Sequence, residues 1–296
     1  MSSFIGDLKP GVQMQRVYAV KNKKLLPFRD GSGFFLALTL SDKTGQVGGR
    51  VWEQVEEVSN CCVVGDVVKV TGLVSEYNGV AQISLYSITA CNDENIDMEC
   101  FLPSTEVSVE FVWEEWLNIT SSLKNPYLQS LLTVMVKDKG FVEGIAKAPA
   151  SKRNHHSFLG GLWQHSRGLV AAAEGLARVY PQMDRDLLVT AALLHDLGKM
   201  EEYRCRATID FDDAGSLSGH VVLGVGLVER YISQIPDFPE VLRKKLLHMI
   251  VIHHGEYEWQ SLKRPEFLEA AILHQLDMLD AMVEMFTSAE GEGREM

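Results

Sequence analysis

The hydrophobic period of this chain changes once, near residue 92, and that change limits the folds open to it more than any other feature. Ahead of it, five segments alternate apolar and polar residues with a period of two: 12–20, 33–42, 46–52, 66–77 and 80–88. Each is rich in β-branched or aromatic residues and bounded by Gly, Asn or Asp, the pattern of half-buried strands. In the second segment Phe34, Leu36, Leu38 and Leu40 share one face and Phe35, Ala37 and Thr39 the other, so one face is expected in the core. Asn78-Gly79 between the last two is a hairpin signal. Beyond the change the period is 3.6, and helices are expected near 106–123, 127–138, 160–179, 185–197, 219–233, 239–253 and 265–287.

Five short strands with a helical turn or two at EQVEEV (53–58) predict a five-stranded OB barrel ahead of an all-α domain, an α+β multidomain chain. The polar, acidic tract NDENIDMECFLPST (92–105) reads as the boundary. The expected division is a barrel over 1–95, a linker with leading helices over 96–150 and the main helical domain over 151–296. KNKKLLPFRDGS (21–32) reads as a long first loop carrying Lys21, Lys23, Lys24 and Arg29 beside Phe28. OB folds grip single strands by such charge together with base stacking. Phe28, Phe35, Trp52 and Tyr77 are the candidate stacking residues. The competing reading is a solvated loop and core aromatics.

Charge and cysteine usage narrow the setting. Lys and Arg total 28 against 40 Asp and Glu, giving a net charge of −12. That argues against passive coating of nucleic acid, which needs a basic footprint. Five cysteines, with no C-x-x-C pair, point to reduced thiols in a cytoplasmic protein. Neither a secretory signal nor an apolar run of membrane-spanning length is visible.

The histidines of the helical half are harder to explain one by one. His165 sits on an apolar stripe with Leu162, Leu169, Ala172 and Leu176. DLLVTAALLHD is apolar nearly all round and closes on His195-Asp196. His220 opens a helix, with Gly224 on the same face four residues later. His253-His254 end another before Gly255. On the last helix Leu268, Ile272, Leu279, Val283 and Phe286 form an apolar stripe, and Asp277 lies opposite beside Ala270 and Ala281, either solvated or, as the few charges of EAAILHQLDMLDA favour, on a second face that packs closely around it. A lone histidine on an apolar face is usually a hydrogen-bonded core residue. Five of them with two aspartates suit a divalent cation such as Mn, Fe, Co or Zn.

The order His165 … His195-Asp196 … Asp277 resembles the HD superfamily of metal-dependent phosphohydrolases. The added His220 and His253-His254 resemble its dinuclear branch. With a barrel ahead of it, and with HDLGKMEEY (195–203), GSLSGHVVLG (215–224), HHGEYEW (253–259) and EAAILHQLDMLDA (269–281), the chain is similar to the bacterial YhaM-type 3′–5′ exoribonucleases. WQSLKRPEFLEA (259–270) departs from that pattern. The resemblance implies two cations, one held by His165, His195, Asp196 and Asp277 with Asp196 bridging, the other completed by His220, His253 and His254. Manganese is its first choice, with iron, cobalt or magnesium as alternatives. Two cations can acidify a shared water and steady both oxygens of a phosphodiester displacement.

Lys199 would set an ammonium against a non-bridging phosphate oxygen, so Asp196 and Lys199 are the catalytic candidates. A solvated lysine at a helix end is the competing reading. His155 and His156 would line the entrance and contact substrate, against a plain loop role, and Lys263 and Arg264 would meet the nucleic-acid backbone, against simple solvation. The expected activity is removal of 5′-mononucleotides from single-stranded RNA, with single-stranded DNA as a second substrate; whether the chain forms a homo-oligomer is left open by the sequence. The alternatives are a phosphohydrolase of free or cyclic nucleotides, disfavoured in its cyclic form by GEYEW after His254, and a catalytically silent adaptor.

Overall fold

The computed structural model describes residues 4–28, 30–77, 79–91, 100–102, 108–152, 156–205, 208–259 and 261–291. They fall into two compact units, Met1–Ser104 with Cys205–Asp210, and Thr105–Arg204 with Phe211–Met296.

The first unit is a closed barrel. Its strands are β1 (Gln13–Pro27), β2 (Phe34–Asp42), β3 (Gly45–Val51), β4 (Val67–Tyr77) and β5 (Val80–Ala90), hydrogen-bonded in the order β1-β2-β3-β5-β4. Closure comes from β1 pairing with both β2 and β4, and from the parallel contact of β3 with β5. A short helix, α1 (Val55–Asn60), separates β3 from β4. Leu36, Leu38 and Leu40 are buried in the barrel core with Tyr18, Val68, Val70 and Ile83, whereas Phe34 stands exposed at the rim.

The first loop is shorter than the sequence suggests. Lys21–Pro27 continues β1 across a bulge between Val20 and Asn22 and pairs with β2 as far as Phe34. This extension is largely exposed on both faces, so it lacks the apolar alternation that marks a half-buried strand. Arg29, Asn78 and most of the acidic boundary tract lie outside the described residues.

The second unit comprises α2 (Val109–Ser122), α3 (Pro126–Lys137), α4 (Lys139–Lys147), α5 (Gly161–Val179), α6 (Arg185–Leu194), α7 (Lys199–Glu202), α8 (Asp213–Ile232), α9 (Glu240–Ile252) and α10 (Leu268–Gly291). A small hairpin of β6 (Tyr203–Cys205) and β7 (Ile209–Phe211) follows α7. Helix α4, α7 and this hairpin are too short for a periodic signal to reveal. Every residue of α6 from Asp186 to Leu194 is buried, and α3, α5, α9 and α10 pack around it. The all-round apolar sequence thus becomes the axis of the unit.

Helix α10 packs through the second of its two candidate faces, the one around Asp277 and Ala270, and not through its most apolar stripe. Ala270, Leu273, His274 and Leu276 are buried, while Leu268, Leu279, Val283 and Phe286 of the apolar stripe are exposed. The buried face carries His274 and Asp277, and its polar content makes it the less hydrophobic of the two.

Close approach of two backbones fixes the start of α7 against α8. A Cβ on Gly198 would lie 1.9 Å from the His220 carbonyl oxygen and 2.5 Å from the Gly224 nitrogen, distances no side chain tolerates. Gly198→Ala should therefore force the two apart, at the roughly 1–3 kcal/mol typical of overpacking. At about 2–4 °C per kcal/mol, calorimetry should record a melting temperature several degrees lower. An unchanged melting temperature would mean the two backbones have room to spare.

Candidate metal centre

Five helical elements deliver side chains to one point. His165 comes from the buried face of α5, and His195-Asp196 from the turn ending α6. His220 follows a kink at Gly219 (φ 69°) within α8, His253-His254 end α9, and Asp277 comes from the buried face of α10. His165, His195, Asp196 and His253 are fully buried or nearly so.

Their ligand atoms form two groups. Those of His165, His195 and Asp277 lie within 4.8 Å of one another, as do those of His220, His253 and His254. Asp196 faces both groups. Its Oδ2 is 3.6 Å from His165 Nε2 and 3.5 Å from His195 Nε2. Its Oδ1 is 3.6 Å from His220 Nε2 and 3.4 Å from His253 Nε2. Asp277 Oδ1 lies 3.2 Å from His165 Nε2.

The outer edge of each ring explains why the inner edges converge. His195 Nδ1 donates to the Ala192 carbonyl at 3.0 Å and His253 Nδ1 to the Ile250 carbonyl at 2.7 Å. His165 Nδ1 is 2.7 Å from Asp280 Oδ2, and His220 Nδ1 is 3.2 Å from Glu202 Oε1. A neutral imidazole donating through Nδ1 presents a lone pair at Nε2, so these partners aim lone pairs inward. Glu202 and Asp280 were not anticipated from the sequence. The available signal was spacing: Asp280 lies three residues beyond Asp277 on one helix, hence on a neighbouring position of its surface. His156, Asp280 and His165 also form a third possible donor group, in which Asp280 Oδ2 is hydrogen-bonded to both rings.

Among the described residues, Asp196 Oδ1, His220 Nε2 and His253 Nε2 are buried without a hydrogen-bond partner. Each such atom costs about 1–3 kcal/mol if left unsatisfied. Coordination to a divalent cation would satisfy all three, and imidazole with carboxylate is a suitable donor set. The residues therefore fit a divalent metal.

Charge is arranged to the same end. Burial alone would raise the Asp196 carboxyl, but the Lys199 ammonium and the surrounding imidazoles hold it well below the usual carboxylate range. Burial pushes His195 down and His253 far down, keeping both neutral ligands. Burial would also lower His165, yet hydrogen bonds to Asp277 and Asp280 push it up to about 9 in the cation-free protein. Asp280 is held at about 2, because its bonds to His156 and His165 outweigh its burial.

The remaining candidates are placed differently. Lys199 is buried, with its ammonium on Asp196 Oδ2, so it is not a solvated helix-end lysine. His156 is buried and bonded to Asp280 at 2.9 Å, behind His165, so it does not line an entrance. His155 lies outside the described residues. Lys263 and Arg264 are exposed and paired with Glu266 and Glu256, apart from the cluster. In the barrel, Phe28, Phe35 and Trp52 meet with ring centroids 5.0–6.1 Å apart, and the Arg50 guanidinium lies 5.9 Å from the Phe35 ring. Tyr77 stands exposed at the end of β4 and joins no ring group among the described residues. Lys21 and Lys24 are exposed on β1, but Lys23 donates to the Ser59 and Cys62 carbonyls beside α1, which occupies its charge structurally.

Comparison with known proteins agrees with both units. Residues 162–282 match the HD domain family, and residues 16–90 match a family described as an OB-fold nucleic acid binding domain. The 3′-5′ exoribonuclease YhaM of Bacillus velezensis is 32% identical over 94% of this chain and 88% of its own length. YhaM of Bacillus subtilis is 32% identical over 86% of this chain and 81% of its own, and YhaM of Geobacillus is 32% identical over 86% and 78%. With that identity over most of both lengths, the chain belongs to the YhaM family of 3′-5′ exoribonucleases.

Proposed function

We propose that this chain hydrolyses single-stranded RNA from its 3′ end to 5′-mononucleotides, using two divalent cations held by the histidine–aspartate cluster. The observation that carries the reading is the position of Asp196, whose two oxygens face two separate histidine groups. His165, His195 and Asp277 would hold one cation and His220, His253 and His254 the other, with Asp196 shared. Bound cations there supply Lewis acidity, which brings the pKa of water toward neutrality and offsets the charge of the diester. Manganese is the first choice, since the donor set accepts several ions.

The chain's own groups do the rest. Glu202 and Asp280 keep the His220 and His165 rings oriented. Lys199, one bond from Asp196, carries the ammonium best placed to turn to a non-bridging phosphate oxygen. Phe28, Phe35 and Trp52 offer stacking faces to unpaired bases, and Lys21, Lys24 and Arg50 supply cations for the backbone. Single-stranded DNA could stack in the same way. All five cysteines are free thiols, which suits the cytoplasm.

The direct test is RNA labelled at either end, digested with manganese or with EDTA. Asp196→Ala should lower turnover by more than the roughly 10–100-fold expected for a change beyond the ligands, and EDTA should abolish activity in both proteins. Full activity of Asp196→Ala would remove the cluster from the reaction, and internal cuts would rule out an exonuclease. Asp280→Asn, which keeps the shape but weakens the grip on His165, should lower metal affinity about 10–100-fold by calorimetry and leave the melting temperature near wild type. In the barrel, Trp52→Ala should raise KM for a long RNA about 5–100-fold, the value of one stacked base, with kcat little changed. An unaltered KM would place the RNA elsewhere.

A further inference from the structure

Beside the cluster lies a cavity of about 460 Å³ that the metal chemistry does not account for. Lys199, His254 and Asp277 form one side of it. Trp259, His274, Met278 and Ala281 complete the lining, adding an aromatic and thioether wall to the charged groups. A volume of this order accommodates one small ligand rather than a folded strand.

The wall is held in place by contacts at the end of α9. Gly255, at φ +77°, ends α9 directly after His254 and turns the chain back over α10. A Cβ there would sit 2.4 Å from the His274 ring, so only glycine lets the turn press on that imidazole. His274 Nδ1 donates to the His253 carbonyl at 2.9 Å, which locks its ring and ties it to the metal-site backbone. The Trp259 ring lies 5.8 Å from the His274 ring at 40°, and its residue is 48% exposed. A large, half-exposed indole beside a buried charged site has little reason to be there for packing. Half exposed and sharing the cavity lining with a fixed imidazole and a methionine, it suits a flat π-system.

We infer that this cavity receives the base of the 3′-terminal nucleotide, with Trp259 as its stacking platform, while the adjoining phosphodiester meets the cluster. The inference rests on the reading of the cluster as a phosphodiester site. Stacking requires only a π-face, so the pocket should accept all four bases with modest preference. It gives the terminal nucleotide a hold of its own, apart from whatever the barrel grips.

Two measurements test it. In the first, full-length protein with manganese digests RNAs ending in a normal or an abasic 3′ nucleotide. Wild type should remove the abasic residue roughly tenfold more slowly, within the range of one stacked base. Trp259→Ala should slow the normal end to that same rate without slowing the abasic end further, and Trp259→Phe should retain most of the difference. Equal slowing of both ends in Trp259→Ala would mean a structural role and overturn the inference, as would equal rates on both ends in wild type. The second needs no turnover: calorimetric binding of AMP against ribose 5-phosphate. Wild type should prefer AMP about tenfold and Trp259→Ala should lose the preference. No preference in wild type overturns the pocket. A preference for AMP in a protein that degrades no RNA would support the pocket while defeating the exoribonuclease reading.

Discussion

The helical unit is organised around one buried carboxylate. Asp196 is 1% exposed and surrounded by imidazoles, and an ionised carboxylate in that position costs several kcal/mol unless opposite charge meets it. Its first compensation is local: Lys199, one turn on, places an ammonium against Oδ2. The remainder must come from other elements, which explains why α5, α8, α9 and α10 all converge on the end of α6. The apolar sequence of α6 fixes where the carboxylate goes, because Asp186 to Leu194 leave it no face toward solvent. Gly198 then admits the His220 backbone to within contact distance. Core packing and charge compensation are thus satisfied by the same set of helix approaches.

The two histidines that end helices use one device twice. Carbonyls in the last turn of a helix have no amide to accept from. His195 caps Ala192 with Nδ1, and His253 caps Ile250 in the same way, each at a spacing of three residues. Each ring therefore satisfies its own helix end with one nitrogen and presents the other to Asp196. A helix C-terminus is elsewhere a favourable place for a protonated histidine. Here burial keeps both rings neutral, the form a metal requires. His165 and His220, which are not at helix ends, need carboxylates for the same task, and Asp280 and Glu202 provide them. Glu202 does so while also accepting the His220 backbone amide at 2.9 Å, so it fixes the restart of α8 after the Gly219 kink and the ring together.

Much of this was legible before any coordinates because the signals were redundant. The period-two segments of the barrel and the all-round apolar run of α6 each stand out against their neighbours. His165 and His253 stand out as imidazoles on apolar stripes and His195-Asp196 as the close of an apolar run, while the full set with His220, His254 and Asp277 comes from the family resemblance. The failures share a cause, which is that hydrophobicity cannot see polar burial. The α10 stripe through Leu279, Val283 and Phe286 is more apolar than the face that packs, because the packing face holds His274 and Asp277. Asp280 and Glu202 look like ordinary surface acids, and only the partner ring 115 or 18 residues away reveals them. His156 reads in the sequence as an entrance residue, although its ring is buried against Asp280. Residues 21–27 were read as loop because a strand exposed on both faces has no alternation to show.

Net charge bears on how such a molecule could hold a polyanion. At −12 the protein as a whole repels RNA, and the repulsion weakens only over a Debye length of about 8–10 Å in physiological salt. Attraction must then come from contacts shorter than that. In the proposed function these are chiefly of two kinds: cations in the cluster, which act on a single phosphodiester, and aromatic faces, which act on bases and are indifferent to charge. Lys21, Lys24 and Arg50 of the barrel add a few side-chain cations. Phe28, Phe35 and Trp52 in the barrel and Trp259 in the helical unit are of the second kind. A basic groove would hold any phosphate backbone, paired or not. Stacking requires bases that are free of a partner strand, so an acidic protein that relies on it gains selectivity for unpaired ends from the same feature that replaces the missing positive charge.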